Sequence, residues 1–235
     1  MVPWVHLDTA AMPGGGELRL MQRGAEFSIM AGPIELMNSR VSGSEEALAT
    51  LACGRIRERG DARVLIGGLG MGFTLRAALA TLEQSASVTV AELVPAVVAW
   101  ARGPMAGLFE NCLDDKRVSI HQGDVAELLR PGGGRYDAIL LDVDNGPEGL
   151  TRKANDALYG LNGLRAAHAT LRPGGILAVW SSHQHPAFTE RLQRAGYAVE
   201  EVRARASGGR GARHVIWIAT RAETRRDRPA GPPRR

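Results

Sequence analysis

The chain has few aromatic residues, almost no lysine, only two cysteines and no long apolar run. Phe, Trp and Tyr make up 5% of 235 residues. No stretch of about 18 consecutive apolar residues occurs, which excludes a helical membrane span. Cys53 and Cys112 are isolated, with no CxxC and no His at zinc spacing, so neither a disulfide framework nor a zinc site is expected and both read as packed thiols. The opening residues MVPWVHLDTAAMPGGG lack the basic-then-apolar order of a secretory signal, so a cytoplasmic protein is expected. At 44% hydrophobic residues there is ample material for one α/β core.

Net charge is missing outside the C-terminus. The net charge is +4, and the last fifteen residues, with six Arg and two acids, carry all of it. Residues 1–220 are neutral. Lys116 and Lys153 are the only lysines, so the basic pI describes an Arg- and Pro-rich tail, 221–235, expected to be disordered. A neutral body argues against nucleic acid as the main partner.

Residues 17–36, ELRLMQRGAEFSIMAGPIEL, alternate in two short apolar runs around RGAE and read as a small β-hairpin. A helix follows in SEEALATLACGRI, with Ser44 as its cap and Glu45 and Glu46 in its first turn. From residue 63 onward apolar runs (RVLIGG, SVTVAEL, RVSIHQGD, YDAILLDV, GGILAVWSS) alternate with helical stretches near 73–83, 95–103, 124–130 and 156–171. Near-continuous apolar strands of this kind belong to a parallel sheet covered on both faces, a doubly wound Rossmann-like α/β domain. YAVEEVRAR and ARHVIWIAT flank a Gly-rich turn and predict a C-terminal antiparallel hairpin. The organisation expected is a lead-in over 1–43, an α/β domain over 44–220 and the tail.

The strand RVLI runs into Gly68-Leu69-Gly70-Met71-Gly72 and then FTLRAALATL. Glycines between a strand and a helix let a ligand approach the backbone. Glu92, at the end of the next strand, is placed to accept hydrogen bonds from ribose hydroxyls, and Asp124, after the third, to meet an adenine edge or to cap the following helix. Phe73 stands where a dinucleotide fingerprint has its last Gly, so an S-adenosyl nucleoside is the expected ligand.

These residues resemble the spermidine synthase family of aminopropyltransferases and, behind it, the class I S-adenosylmethionine methyltransferases, over about residues 17–220. GLGMGFTLRAAL resembles the family's GGGDGGTLREVL, YDAILLDVDNGP its YDVIIVDSSDP, and AGPIELMNSRVSGSEEAL lines up without a gap on DGVIQLTERDEFIYHEML. The resemblance implies an S-adenosylmethionine or decarboxylated S-adenosylmethionine donor, held by Gly68, Gly70, Gly72, Glu92 and Asp124, and a small cationic amine acceptor whose proton Asp142 takes. Met71 replaces the loop acid that grips the aminopropyl end, Glu35 a nucleoside-contacting Gln, and Ser44 and Glu45 a Tyr and a His beside the polyamine.

On the acceptor side, Asp144 and Glu148 follow Asp142 in DVDNGPEGL and, with it, give a negative pocket mouth. Tyr159, Trp180 and His183 are further substrate candidates, and Glu45 and Glu46 could close the pocket from their helix. His183 and His185 lack a third ligand, so no metal is assigned. Three readings follow: an S-adenosyl-dependent aminopropyl- or methyltransferase, a non-catalytic nucleoside-binding homologue, and a nucleic-acid methyltransferase. A homodimer is left open.

Overall fold

The computed structural model describes residues 2–129, 134–143, 147, 157–207 and 210–222. Two sheets organise the chain. The first is an antiparallel meander of β1 (Val5–Ala11), β2 (Glu17–Arg23), β3 (Glu26–Ala31) and β4 (Ile34–Asn38). The second contains β5 (Arg63–Gly67), β6 (Ser87–Glu92), β7 (Val118–Gln122), β8 (Tyr136–Leu141), β9 (Leu171–Ser181), β10 (Tyr197–Ser207) and β11 (Arg210–Arg221), in the order β10-β11-β9-β8-β5-β6-β7. Five of these strands run parallel, and β11 inserts antiparallel beside β9 before pairing with β10. This is the doubly wound architecture with a C-terminal hairpin read from the sequence.

The α-helices bounded within the described residues are α1 (Gly43–Gly54), α2 (Phe73–Thr81), α3 (Pro95–Arg102), α4 (Ala106–Phe109), α5 (Val125–Leu128), α6 (Leu161–Thr170) and α7 (Pro186–Arg194). Successive strand residues point to opposite faces. Val64, Ile66, Ala138 and Leu140 thus pack with α1, α2 and α3 and with Leu18, Leu20, Phe27 and Ile29 of the first sheet. Leu65, Ile139 and Leu141 face α6 and α7 instead. The meander therefore shares the main core, and Trp100 of α3 ties it down further by donating its indole N–H to Asp8 at 2.6 Å.

Three local expectations are corrected. The lead-in is four strands rather than one hairpin, because β1 carries almost no buried side chain to mark it. Ser44 is not the cap of α1: the helix begins at Gly43 and the Ser44 hydroxyl turns sideways into the protein. The long helix drawn over 156–171 is shorter, since Gly160 precedes a fresh start at Leu161.

Candidate active site

Strand order reverses between β5 and β8, and a parallel sheet is open to ligands beyond its strand ends at such a switch point. There the backbone is knitted tightly, with Gly68 N–H donating to Ala91 O at 2.9 Å and Asp142 N–H to Gly67 O at 3.0 Å. Gly68 has φ of +92°, and a Cβ would lie 2.4 Å from the Asp142 carbonyl oxygen, so no side chain fits. Gly72, at φ of +80°, starts α2 against the Phe109 ring, where a Cβ would meet carbon at 2.5 Å. Its role is packing, and it lines neither cavity below.

Two cavities meet at this point. The larger, about 130 Å³, is walled by Gly68, Gly70, Glu92, Asp124 and Asp142, with Val94 and Val97 on its apolar side. The smaller, about 80 Å³, is walled by Glu45, Met71, Phe73, Asp142 and Trp180. Asp142, Gly70, Leu36 and Met37 belong to both. A far larger, open hollow lies beside α2, but its cations are consumed by ion pairs, Arg76 with Glu110 and Arg117 with Asp115. Volume alone would therefore point away from the chemistry.

Glu92 is held by two backbone donors, Val94 N–H at 2.8 Å on Oε1 and Leu69 N–H at 3.0 Å on Oε2. Burial pushes its pKa up against those donors, so hydroxyls of a bound ribose would favour the ionised form. Asp124 caps α5 by accepting the Ala126 N–H at 2.9 Å while it also forms cavity wall. The capping role considered for it is therefore met, and its carboxyl also borders the cavity.

The two acids of β8 and its end contrast sharply. Asp137, fully buried, is matched by Arg59, by Arg172 at 2.9 Å and by the Arg63 N–H at 2.8 Å. That is the pairing a structural acid requires. Asp142 instead accepts a hydrogen bond from the Thr74 hydroxyl at 2.7 Å and forms no ion pair among the described residues. It keeps some accessible surface because it opens onto both cavities. Protein surrounds the carboxyl, and burial first, then the Glu45 charge, push its pKa up to about 7 against the Thr74 hydrogen bond. A carboxyl poised near neutrality is suited to taking a proton.

The remaining candidates divide. Trp180 forms cavity wall, stands edge-on to His214 and has an indole N–H with no partner among the described residues. Tyr159 is in the core, 1% exposed, edge-on to Phe188, with its hydroxyl donating to Val143 O at 3.4 Å; the helical turn that carries it points inward. His183 is exposed, 2.8 Å from the Ser182 hydroxyl, and lines neither cavity. Asp144 and Glu148 lie outside the described residues. Thr74 and His214 were not singled out from sequence, since their partners are 68 and 170 residues away. Glu35 is engaged by Arg40, Ser28 and Asn38.

No family model matches the chain. Two curated proteins do: polyamine aminopropyltransferase 1 of Streptomyces coelicolor, 31% identical over 146 residues, and polyamine aminopropyltransferase 2 of Pseudomonas aeruginosa, 32% identical over 120. The matched segments are 59% and 49% of this chain but only 27% and 32% of those proteins' lengths. Among solved structures, spermidine synthase from Thermotoga maritima superposes with a TM-score of 0.73 at 16% identity, covering 94% of this chain and 75% of that one. A spermidine synthase in complex with the transition-state analogue AdoDATO gives 0.71 at 16% identity, over 94% and 74%. The CurJ carbon methyltransferase gives 0.52 at 13%, over 76% and 54%. In sequence the chain is thus similar to parts of polyamine aminopropyltransferases, spanning about a third of their length, and its fold is that of the spermidine synthases and of a class I carbon methyltransferase.

Proposed function

We propose that the protein transfers an aminopropyl group from decarboxylated S-adenosylmethionine to a small cationic amine. The nucleoside would lie in the larger cavity, with Glu92 at the ribose and Asp124 at the adenine. The amine would lie in the smaller cavity, and Asp142, shared by both, stands where donor carbon and acceptor nitrogen must meet.

The observation that carries this reading is the charge of the walls. Four carboxylates, Glu45, Glu92, Asp124 and Asp142, form them, and no Arg, Lys or His does among the described residues. A sulfonium and two amines are matched by that surface. The methionyl carboxylate of the intact donor meets no cationic partner there among the described residues, at a cost of about 1–3 kcal/mol for an unpaired buried polar group, or roughly a 10- to 100-fold loss of affinity. This favours the decarboxylated donor over methyl transfer from S-adenosylmethionine, although Met71 replaces the loop acid. It also supports an enzyme over a non-catalytic homologue, because an acid held near neutrality without a cation destabilises the fold and is retained where it does chemistry.

In the step itself Asp142 accepts a proton from the acceptor ammonium and orients the free amine. The amine lone pair forms the new C–N bond as the C–S bond breaks, and the leaving pair stays on sulfur as a neutral thioether. Product analysis by mass spectrometry, with putrescine as the amine probe, tests the reading. An aminopropylated product from wild type and none from Asp142→Asn, which still binds donor, is the expected result. A methylated product, or equal turnover by the variant, would refute it.

A further inference from the structure

The decarboxylated donor carries a second positive charge besides its sulfonium, the ammonium at the far end of its propyl chain. The acceptor brings another ammonium. Where donor and acceptor meet, the smaller cavity has to match both, and among the described residues its acids are Asp142 and Glu45. Asp142 is committed to the acceptor, because it takes the proton of the attacking nitrogen. The glycine loop offers the donor tail no charge: Met71, the buried loop residue in that wall, is an uncharged thioether.

Glu45 is held in place from several sides. It lies in the first turn of α1, whose start is packed so closely on β10 that a Cβ on Gly43 would come within 2.9 Å of the Arg205 carbonyl oxygen. The fully buried Ser44 hydroxyl donates to Glu45 Oε2 at 2.6 Å and, with its hydrogen so used, accepts from His214 Nδ1 at 2.8 Å. Thr74 links this turn to the reacting centre, its hydroxyl oxygen lying 2.7 Å from Asp142 Oδ2 and 3.5 Å from the Glu45 carbonyl oxygen. The two acids share one wall, and the charge of Glu45 is felt at Asp142. Burial pushes the Glu45 pKa up against the Ser44 hydrogen bond, and no cation pairs with the carboxyl among the described residues. An ammonium brought by a ligand would supply the missing partner.

Resting on the group-transfer reading above, we propose that Glu45 binds the aminopropyl ammonium of the donor, so that the charge gripping the donor tail comes from α1 and not from the glycine loop. With the ammonium at Glu45 and the ribose at Glu92, the propyl chain is drawn across the junction of the two cavities, where Asp142 stands. The sulfur-bound carbon is thereby presented to the acceptor nitrogen. The intact donor bears its carboxylate on the carbon next to that ammonium, which would set like charges against Glu45 and Asp142.

The test uses the full chain with decarboxylated S-adenosylmethionine and with 5′-methylthioadenosine, the neutral nucleoside thioether that lacks the aminopropyl chain. By calorimetric titration, Glu45→Gln is expected to weaken binding of the decarboxylated donor about 10- to 100-fold, the size of a lost charge-assisted hydrogen bond, with 5′-methylthioadenosine affinity within about twofold. At saturating donor, the KM for putrescine is expected to stay within about twofold. Adding Met71→Asp returns a carboxylate to the same wall and is expected to recover about tenfold of the lost donor affinity. Unchanged donor affinity in Glu45→Gln, an equal loss for both ligands, or a raised putrescine KM with donor affinity intact would overturn the assignment of Glu45 alone. So would the absence of recovery in a double variant that still binds 5′-methylthioadenosine as wild type does. Wild-type protein that yields no aminopropylated putrescine would overturn the group-transfer reading beneath it.

Discussion

Asp142→Asn is expected to stop turnover and, above neutral pH, to stabilise the fold. The carboxyl has an ordinary pKa of 3.8 and is pushed up to about 7 in the folded protein. A group with a raised folded-state pKa contributes fully below its unfolded value, and that contribution is lost as pH rises through the folded value. The loss therefore accumulates between about pH 4 and pH 7. At 1.36 kcal/mol per pH unit it reaches on the order of 4 kcal/mol, roughly 2–3 of them between pH 5 and pH 8. Asn carries no charge and escapes this loss, though it leaves an amide where Thr74 once donated, a pH-independent cost of about 1–2 kcal/mol. Urea denaturation of both proteins at several pH values measures the difference directly. Variant minus wild-type stability is expected to grow by about 2 kcal/mol from pH 5 to pH 8, or several degrees in Tm for a chain of this size. A difference that is flat with pH, or that shrinks, would show that Asp142 is ionised normally and would remove the argument for it as a base.

Other perturbations read other parts of the site. Thr74→Val removes the hydrogen bond that favours the Asp142 carboxylate, so the acid limb of kcat/KM is expected at higher pH, lowering activity about tenfold near pH 6. Glu92→Gln, by calorimetric titration, is expected to weaken donor binding roughly 10- to 100-fold while the KM for the amine stays put. Gly72→Ala forces a side chain into a left-handed backbone and against Phe109, and is expected to lower stability by about 2–4 kcal/mol in a denaturant melt.

The parts of the molecule legible in the sequence are those whose signal is local. The Gly68 to Gly72 loop, Glu92 and Asp142 each sit at the end of an apolar run, and a parallel sheet brings such ends together whatever the loops do. β1 was invisible because VHLDTAA packs little and is held by its partner strand and the Asp8 hydrogen bond to Trp100. Tyr159 illustrates the limit of position along the chain: the turn after the acidic loop could face either way, and only packing against Phe188 decides. Ser44 read as a helix cap because caps are judged by sequence neighbours, whereas its hydroxyl answers to His214, 170 residues on. The wall of the smaller cavity is assembled from α1, the glycine loop and β9; Glu45 and Trp180 were pocket candidates singly, but that they share one cavity with Met71 is visible only in the fold.

The account rests on cavities lined, among the described residues, with acids and no cation, and the most direct measurement of that claim is paired calorimetric titration of the wild-type protein with decarboxylated and intact S-adenosylmethionine. Binding of the decarboxylated donor roughly 10- to 100-fold tighter is expected. Equal affinities, or preference for the intact donor, would contradict it.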